Sequence, residues 1–309
     1  MLVFLSQNHN KILDDFFWKF NNFIDIKKYL LIIVSALIFS SVVSVADTSK
    51  LKDKFFSSIE NLLDGNFKDT DFSLKSKEGN KPEIGILTFK PLNDSEEGLT
   101  FFQGSLFTHD GDRETLNLGF GKRMLSDDES FLFGLNAFYD HELDYDHQRG
   151  SIGAEIKSSI LELNTNHYFA ISNEVTGKNN IKEEVADGYD LEIGAHIPYM
   201  PTAKIYTKIF EYEIPGGSDF EGIEYSSRIG IPNSGMNFEV GFKDYGNNSY
   251  EDQWFFNLTF NLSKINPNAS LVSEEAFERV SMKDKKYDKV RRENLIVKSK
   301  SFSVKAGGF

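Results

Sequence analysis

Cysteine is absent from the 309-residue chain, which excludes disulfide frameworks, thiolate nucleophiles and cysteine-based zinc sites. Basic residues are outnumbered: 34 Lys and Arg face 47 Asp and Glu, a formal charge of -13. A nucleic-acid binder needs the opposite balance to neutralise phosphates, so nucleic acid is not an expected partner. Proline is sparse, with 7 in all, and together with 40% hydrophobic residues this excludes wholesale disorder. Apart from one stretch near the start, runs long enough to cross a bilayer as a helix are missing. Aromatics, by contrast, are plentiful, with 29 Phe and 12 Tyr. Many aromatics without long apolar runs suit an all-β chain rather than a helical membrane protein.

The exceptional stretch runs from Tyr29 to Val43, preceded by Lys27 and Lys28 and followed by Ser44, Val45 and Ala46. A positive flank, a short apolar core and small residues before Asp47 read as a signal peptide over 1–46. The competing reading is a retained anchor helix, for which the core falls short of the ~20 residues a span needs. Residues 1–46 carry four Lys and three Asp, so their removal leaves a charge of -14. Next, Leu51, Phe55, Ile59 and Leu62 share one face and Gly65 stands where a helix stops, which predicts a helix over 48–65 within a segment spanning 47–69.

From about residue 70 the period changes to two. Leu116, Leu118 and Phe120 alternate with Asn117, Gly119 and Gly121. Phe131, Phe133, Leu135, Ala137 and Tyr139 alternate with Leu132, Gly134, Asn136, Phe138 and Asp140. The same holds for 151–157, 189–197, 236–243 and 253–262, although Phe255 interrupts the polar face of the last. Weaker runs at 71–77, 82–90, 99–107, 161–171, 203–213 and 221–231 bring the total to about twelve strands of roughly nine to eleven residues. Such alternation also serves a soluble sandwich. However, the polar faces mix Gly, Ser and Asn with both signs of charge (Arg123, Arg149, Glu155, Lys157, Asp190, Glu192), as a crowded lumen would. Phe138, Tyr139, Tyr189, Tyr199, Tyr212, Tyr225 and Trp254 fall near strand ends, where an aromatic girdle would sit. The expectation is an all-β, transmembrane antiparallel β-barrel over 70–263.

Seven segments then recur in a characteristic order. They are Gly98 to Leu106, Arg113 to Arg123, Phe133 to Asp140, His147 to Glu155, Leu163 to Tyr168, Gly188 to Leu191 and Ile197 to Pro201. This series resembles the inverse autotransporter β-barrel of the intimin and invasin family over roughly residues 70–300. The resemblance implies a barrel in the outer membrane of a Gram-negative bacterium, with the N-terminus in the periplasm. Its partners would be the lipid bilayer, the barrel-assembly machinery, periplasmic chaperones and a host or neighbouring-cell surface. It also implies an arginine-bearing linker that threads the pore, matched by Glu278-Arg279-Val280 and by Asn294 to Val297. Family-motif and lumen positions carried over in this way are Gln103, Asn117, Gly119, Gly121, Arg123, Asn136, Asp140, Arg149, Gly153, Glu155, Asn166, Gly188, Asp190 and Arg279. Glu184 and Val185 depart from the family's Arg-Pro step. With the chain ending at Phe309, the expectation is a translocator that exports its own C-terminal segment. A passive or structural pore and an adhesin acting through surface loops are the alternatives.

No catalytic, cofactor or metal site is expected. Asp140 to His147 packs four acids and two histidines into eight residues, yet a polar hairpin connection is the simpler reading. His167 and His196 have no nucleophile or acid arranged beside them. Gly119 and Gly121 read as small lumen residues that let a linker pass. Independently of any family, residues 264–309 hold 11 Lys and Arg against 6 Asp and Glu, leaving 47–263 at -19. A basic tail tethered to an acidic barrel gains attraction in a confined lumen. Residues 272–300 are therefore expected in the pore, as a short helix capped by Ser273 with Glu274 and Glu275 in its first turn, then an extended stretch.

Overall fold

A computed structural model describes residues 69–247, 249–261 and 270–299. The expected signal peptide, the helix at 48–65, and Leu262, read as the end of the last strand, lie outside the described residues. Among the described residues there are fourteen strands: β1 (Thr70–Lys77), β2 (Glu83–Asp94), β3 (Gly98–His109), β4 (Arg113–Leu125), β5 (Phe131–Glu142), β6 (His147–Ser158), β7 (Leu161–Ala170), β8 (Val175–Thr176), β9 (Lys182–Glu183), β10 (Asp187–Ile197), β11 (Met200–Glu213), β12 (Phe220–Ile231), β13 (Met236–Tyr245) and β14 (Gln253–Asn261). Twelve close an antiparallel barrel in sequence order, sealed by β1 against β14, while β8 and β9 form a small hairpin in the β7–β10 connection. All twelve expected runs fall on barrel strands, whose lengths range from 8 to 14 residues.

Side chains point the way a lipid-embedded barrel requires. On β5, Phe131, Phe133, Leu135, Ala137 and Tyr139 are exposed while Leu132, Gly134, Asn136 and Phe138 between them are buried. The apolar Leu135 is 65% exposed, whereas the guanidinium-bearing Arg123 and Arg149 are 0% exposed. A sandwich would show the reverse. Closure leaves the barrel no strand edge, so each of its twelve strands finds ladder partners on both sides within the protein, which the hydrocarbon region demands. Of the expected girdle, Tyr139, Tyr189, Tyr199, Tyr225 and Trp254 are exposed. Phe138 and Tyr212 correct that expectation: each lies on the inward parity of its strand and is buried.

The connections at the two ends differ. Those after β2, β4, β6, β10 and β12 are tight, and Gly235 shows why one must be. Its φ is +69°, its carbonyl accepts from the Asn261 N–H at 2.9 Å, and a Cβ there would meet the Asn261 carbonyl oxygen at 2.1 Å. Longer connections, including residues 171–186 with the β8–β9 hairpin, lie at the opposite end. Inside, aromatic and aliphatic side chains form two clusters: Phe89, Leu99, Phe101, Phe138 and Val290, and Tyr168, Ala186, Phe210, Tyr212, Ile214, Phe220 and Val297. Each cluster includes a residue from beyond β14.

Candidate functional site

That segment is the linker, residues 270–299, and it threads the barrel from end to end. It first runs under the tight-turn mouth, where the Ser273 N–H donates to the Tyr199 carbonyl and the Tyr199 N–H donates to the Ala276 carbonyl. Crossing to the β4–β5 turn, it buries Met282, whose N–H donates to the Glu129 carbonyl. Residues 288–296 then pass through the lumen. Val297 to Ser299 leave among the long loops, where the Ala186 N–H donates to the Val297 carbonyl and the Ser299 N–H to the Glu184 carbonyl. Glu184 and Val185, the departure noted above, thus pair with the departing chain, Val185 lying opposite Lys298.

The expected helix at the start of this segment does not form. Backbone groups at Ser273 and Ala276 are committed to the β10–β11 turn, and the Ser273 hydroxyl accepts from the Glu275 N–H at 3.2 Å without a helix following. Helical geometry among the described linker residues is confined to a 3-10 turn at Asp284–Tyr287.

Charge holds the linker in place. Lys286 meets Asp94 at 2.8 Å, and Lys289 bridges Asp69 and Asp71. Arg291 reaches across to β10 and β13, with Nε 2.5 Å from Glu192 and Nη2 3.2 Å from Glu239. Arg292 turns the other way and grips both oxygens of Asp140, at 2.9 and 2.6 Å, its guanidinium lying over Phe138 with the ring centroid 4.3 Å away. The two consecutive residues diverge at a bend in the backbone at Arg292 and so reach opposite walls. Lys298 pairs with the buried Glu142 at the exit. The acidic barrel and basic tail counted in the sequence therefore meet residue by residue.

The sequence-predicted positions are distributed as follows. Gln103, Asn117, Arg123, Asn136, Asp140, Arg149, Glu155, Asn166, Gly188 and Asp190 are buried inside the barrel, and Gly153 lies partly buried between the amides of Asn136 and Asn166. Arg123 bonds Glu155 at 2.5 Å, and Arg149 bonds Asp140 at 2.8 Å. Gly119 and Gly121 do not clear a path for the linker. A Cβ at Gly119 would sit 2.1 Å from the Phe138 ring, and one at Gly121 would sit 2.3 Å from Phe101. They let those rings lie flat on the wall, where Phe138 supports Arg292 and Phe101 supports Arg123 at 4.6 Å. Arg279 is a correction: it is exposed on the strap outside the mouth, and Arg291 and Arg292 are the arginines in the lumen. Sequence reasoning counted their charge without placing them. The density of Lys and Arg over 283–298 was the available signal.

The Asp140–His147 stretch divides between inside and outside. His141 pairs with Asp146 at 2.7 Å on the rim, while Glu142 and His147 turn inward and meet Glu183 from β9. The trio has ligand-like spacing, yet Arg113 already bonds both carboxylates at 2.7 Å and Lys298 caps Glu142. Two cations thus neutralise two acids, and the cluster works as an ion-pair latch. His167 is exposed on β7, and His196 lines the lumen cavity. At the tight-turn end, hydrogen bonds from Ser126 and Ser130 hold the Asp128 carboxyl down at about 2, and contacts with Lys283 and Ser281 lower that of Glu129.

The linker fills only part of the lumen. Beside it lies a cavity of about 570 Å³ lined by Lys75, Lys208, Glu224 and Arg228 of the barrel and by Arg291 and Glu293 of the linker.

Comparison with known proteins agrees with this arrangement. A family described as "Inverse autotransporter, beta-domain" matches residues 41–294. A putative attaching and effacing protein homolog of Escherichia coli K12 is 31% identical over 135 residues, 43% of either chain. Invasin of Yersinia enterocolitica is 30% identical over 135 residues, 43% of this chain and 15% of invasin. The match thus spans less than half the length of these relatives. A solved chain from work called "Unveiling the Mechanism Behind the in-meso Crystallization of Membrane Proteins" superposes with a TM-score of 0.62 at 20% identity, covering 74% of this chain and 98% of its own. A closed twelve-stranded barrel, apolar outside and charged inside, matched by this family over most of its length, belongs to the inverse autotransporter β-domain family and is an outer-membrane β-barrel protein.

Proposed function

We propose that the barrel is a translocator that passes its own C-terminal segment outward, with the tight-turn end and the N-terminus in the periplasm and the long loops at the cell surface. The observation that carries this reading is the linker itself. It enters beside the turns after β2, β4 and β10 and leaves bonded to Glu184 and Ala186 at the opposite end. An extended chain already lying across the membrane inside a closed barrel is the end state that export would leave. The work is membrane insertion and passage of an unfolded segment, and we assign it no chemistry. Delivery to the membrane would engage periplasmic chaperones and the barrel-assembly machinery, and the surface loops would meet a host or neighbouring cell.

An epitope tag placed after Phe309 tests this on intact cells. A translocator displays the tag to antibody and loses it to added protease. A barrel whose tag stays protected until the outer membrane is opened is a plugged pore instead.

A further inference from the structure

The lumen wall meets the linker through two chemically distinct sets of side chains. One set hydrogen-bonds its main chain, although the Tyr168 ring also faces the Arg292 guanidinium at 5.7 Å. Arg123 donates to the Lys286 and Asp288 carbonyls at 2.6 and 2.5 Å, and Asn166 donates to the Arg291 carbonyl at 3.0 Å. Arg149 donates to the Glu293 and Leu295 carbonyls at 2.8 and 3.0 Å, and Asn117 donates to the Asn294 carbonyl at 2.9 Å. Gln103 accepts from the Val290 N–H at 2.8 Å, and the Tyr168 hydroxyl accepts from the Glu293 N–H at 2.7 Å. The six residues come from β3, β4, β6 and β7, on one side of the barrel, with β5 between β4 and β6 contributing Asp140 of the second set. The second set consists of the acids Asp69, Asp71, Asp140, Glu142, Glu192 and Glu239, which bind linker side chains.

Main-chain groups are the same in every residue but proline, whereas side-chain cations occur only where the sequence puts them. We propose that Gln103, Asn117, Arg123, Arg149, Asn166 and Tyr168 form a sequence-independent rail for any extended polypeptide. The acids then act as register sockets that stop the moving chain when the Lys289-Val290-Arg291-Arg292 tract arrives. The ligand of the rail is an extended main chain; the ligand of the sockets is a basic tract spaced as in this linker. An extended chain repeats its main-chain groups about every 6.6 Å. In an extended chain a two-residue step returns equivalent main-chain groups to the same side of the wall. Sockets offer no such repeat, because only one register places Arg292 on Asp140, Arg291 on Glu192 and Lys298 on Glu142 together. Burial of main-chain groups in a half-dry lumen costs unless they find partners, so the rail lowers the barrier to transit and the sockets end it. Gln103, Asn117, Arg123, Arg149, Asn166 and Tyr168 are positioning residues in this scheme.

This inference rests on the translocator reading, and one experiment with the full chain in cells separates the two. The chain lacks cysteine, so Val185→Cys with Lys298→Cys gives a disulfide only when the linker stands in the observed register, the two residues being bridge partners. A C-terminal tag reports arrival at the surface over time, and gel migration before and after boiling confirms the folded barrel. Socket-side variants (Lys289→Gln, Arg291→Gln, Arg292→Gln) are expected to lower disulfide yield while the tag arrives at the unaltered rate. Rail variants (Gln103→Met with Asn166→Ala) are expected to delay arrival by about fivefold per lost hydrogen bond. Gln103→Glu in place of Gln103→Met keeps the acceptor and is expected to recover the Gln103 share of the delay, leaving that of Asn166→Ala. Should the socket-side variants keep full disulfide yield, or the folded rail variants export at the parental rate, the division into rail and sockets is wrong. If the unaltered chain never displays its tag, the translocator reading fails first and takes this one with it.

Discussion

Arg292 offers the sharpest measurement of what holds the linker. It is buried, binds Asp140 through two nitrogens, reaches Ser151 at 3.1 Å and lies over the Phe138 ring. Replacing it with methionine removes one of the two cations on a buried carboxylate. Breaking a buried pair costs about 3–5 kcal/mol. Asp140 keeps Arg149 at 2.8 Å, which places the expected loss at the lower end, about 3 kcal/mol. At roughly 1.4 kcal/mol per tenfold, local opening of the linker should become more than about a hundredfold easier. Hydrogen exchange of the detergent-solubilised protein reads this directly at Val290 and Glu293, whose N–H groups donate to Gln103 and Tyr168. Arg292→Lys keeps the charge but not the planar fork, so its loss should fall between the parent and Arg292→Met. Protection that changes by less than about tenfold in Arg292→Met would show that packing alone, rather than this pair, anchors the segment.

Ending the chain at Lys264 should raise single-channel conductance over that of the full chain, because the linker would no longer share the lumen with the 570 Å³ cavity; equal conductance would mean that the linker does not obstruct the pore. Gly119→Val should push Phe138 off the wall, since a Cβ there already overlaps the ring at 2.1 Å, and so weaken Arg292; exchange at Glu293 should rise without loss of the heat-modifiable band. Asp128, with its carboxyl held at about 2, should keep the β4–β5 turn closed above its unfolded value near 3.8 and release it only as pH falls through about 2. Carbon NMR of its carboxyl tests this, and Ser130→Ala should move the midpoint up.

Much of the barrel was legible because a strand's period of two repeats along the chain and needs no partner to be read. Leu116 to Gly121 and Phe131 to Asp140 show in one dimension which side meets lipid. The inner clusters were less legible. Phe138 and Tyr212 share composition with the outward aromatics, and only strand parity within a closed sheet turns them inward. At the start of the linker, Ser273, Glu274 and Glu275 carry a sound helix-capping pattern. The structure overrides it because Tyr199, distant in sequence, claims the Ala276 carbonyl that a helix would bond to the Val280 N–H.

Alternation, charge balance and the ordered motifs determined that this chain is an inside-out β-barrel with an acidic wall and a basic tail, since each is a local or summed property of the residues. Which arginine meets which acid was decided by tertiary structure alone. Asp140 and Arg292 are 152 residues apart, and their meeting depends on closure of twelve strands and on the register of a chain threaded through them. Charge totals are additive along a sequence, whereas pairing is fixed by distance, and distance exists only after the barrel closes.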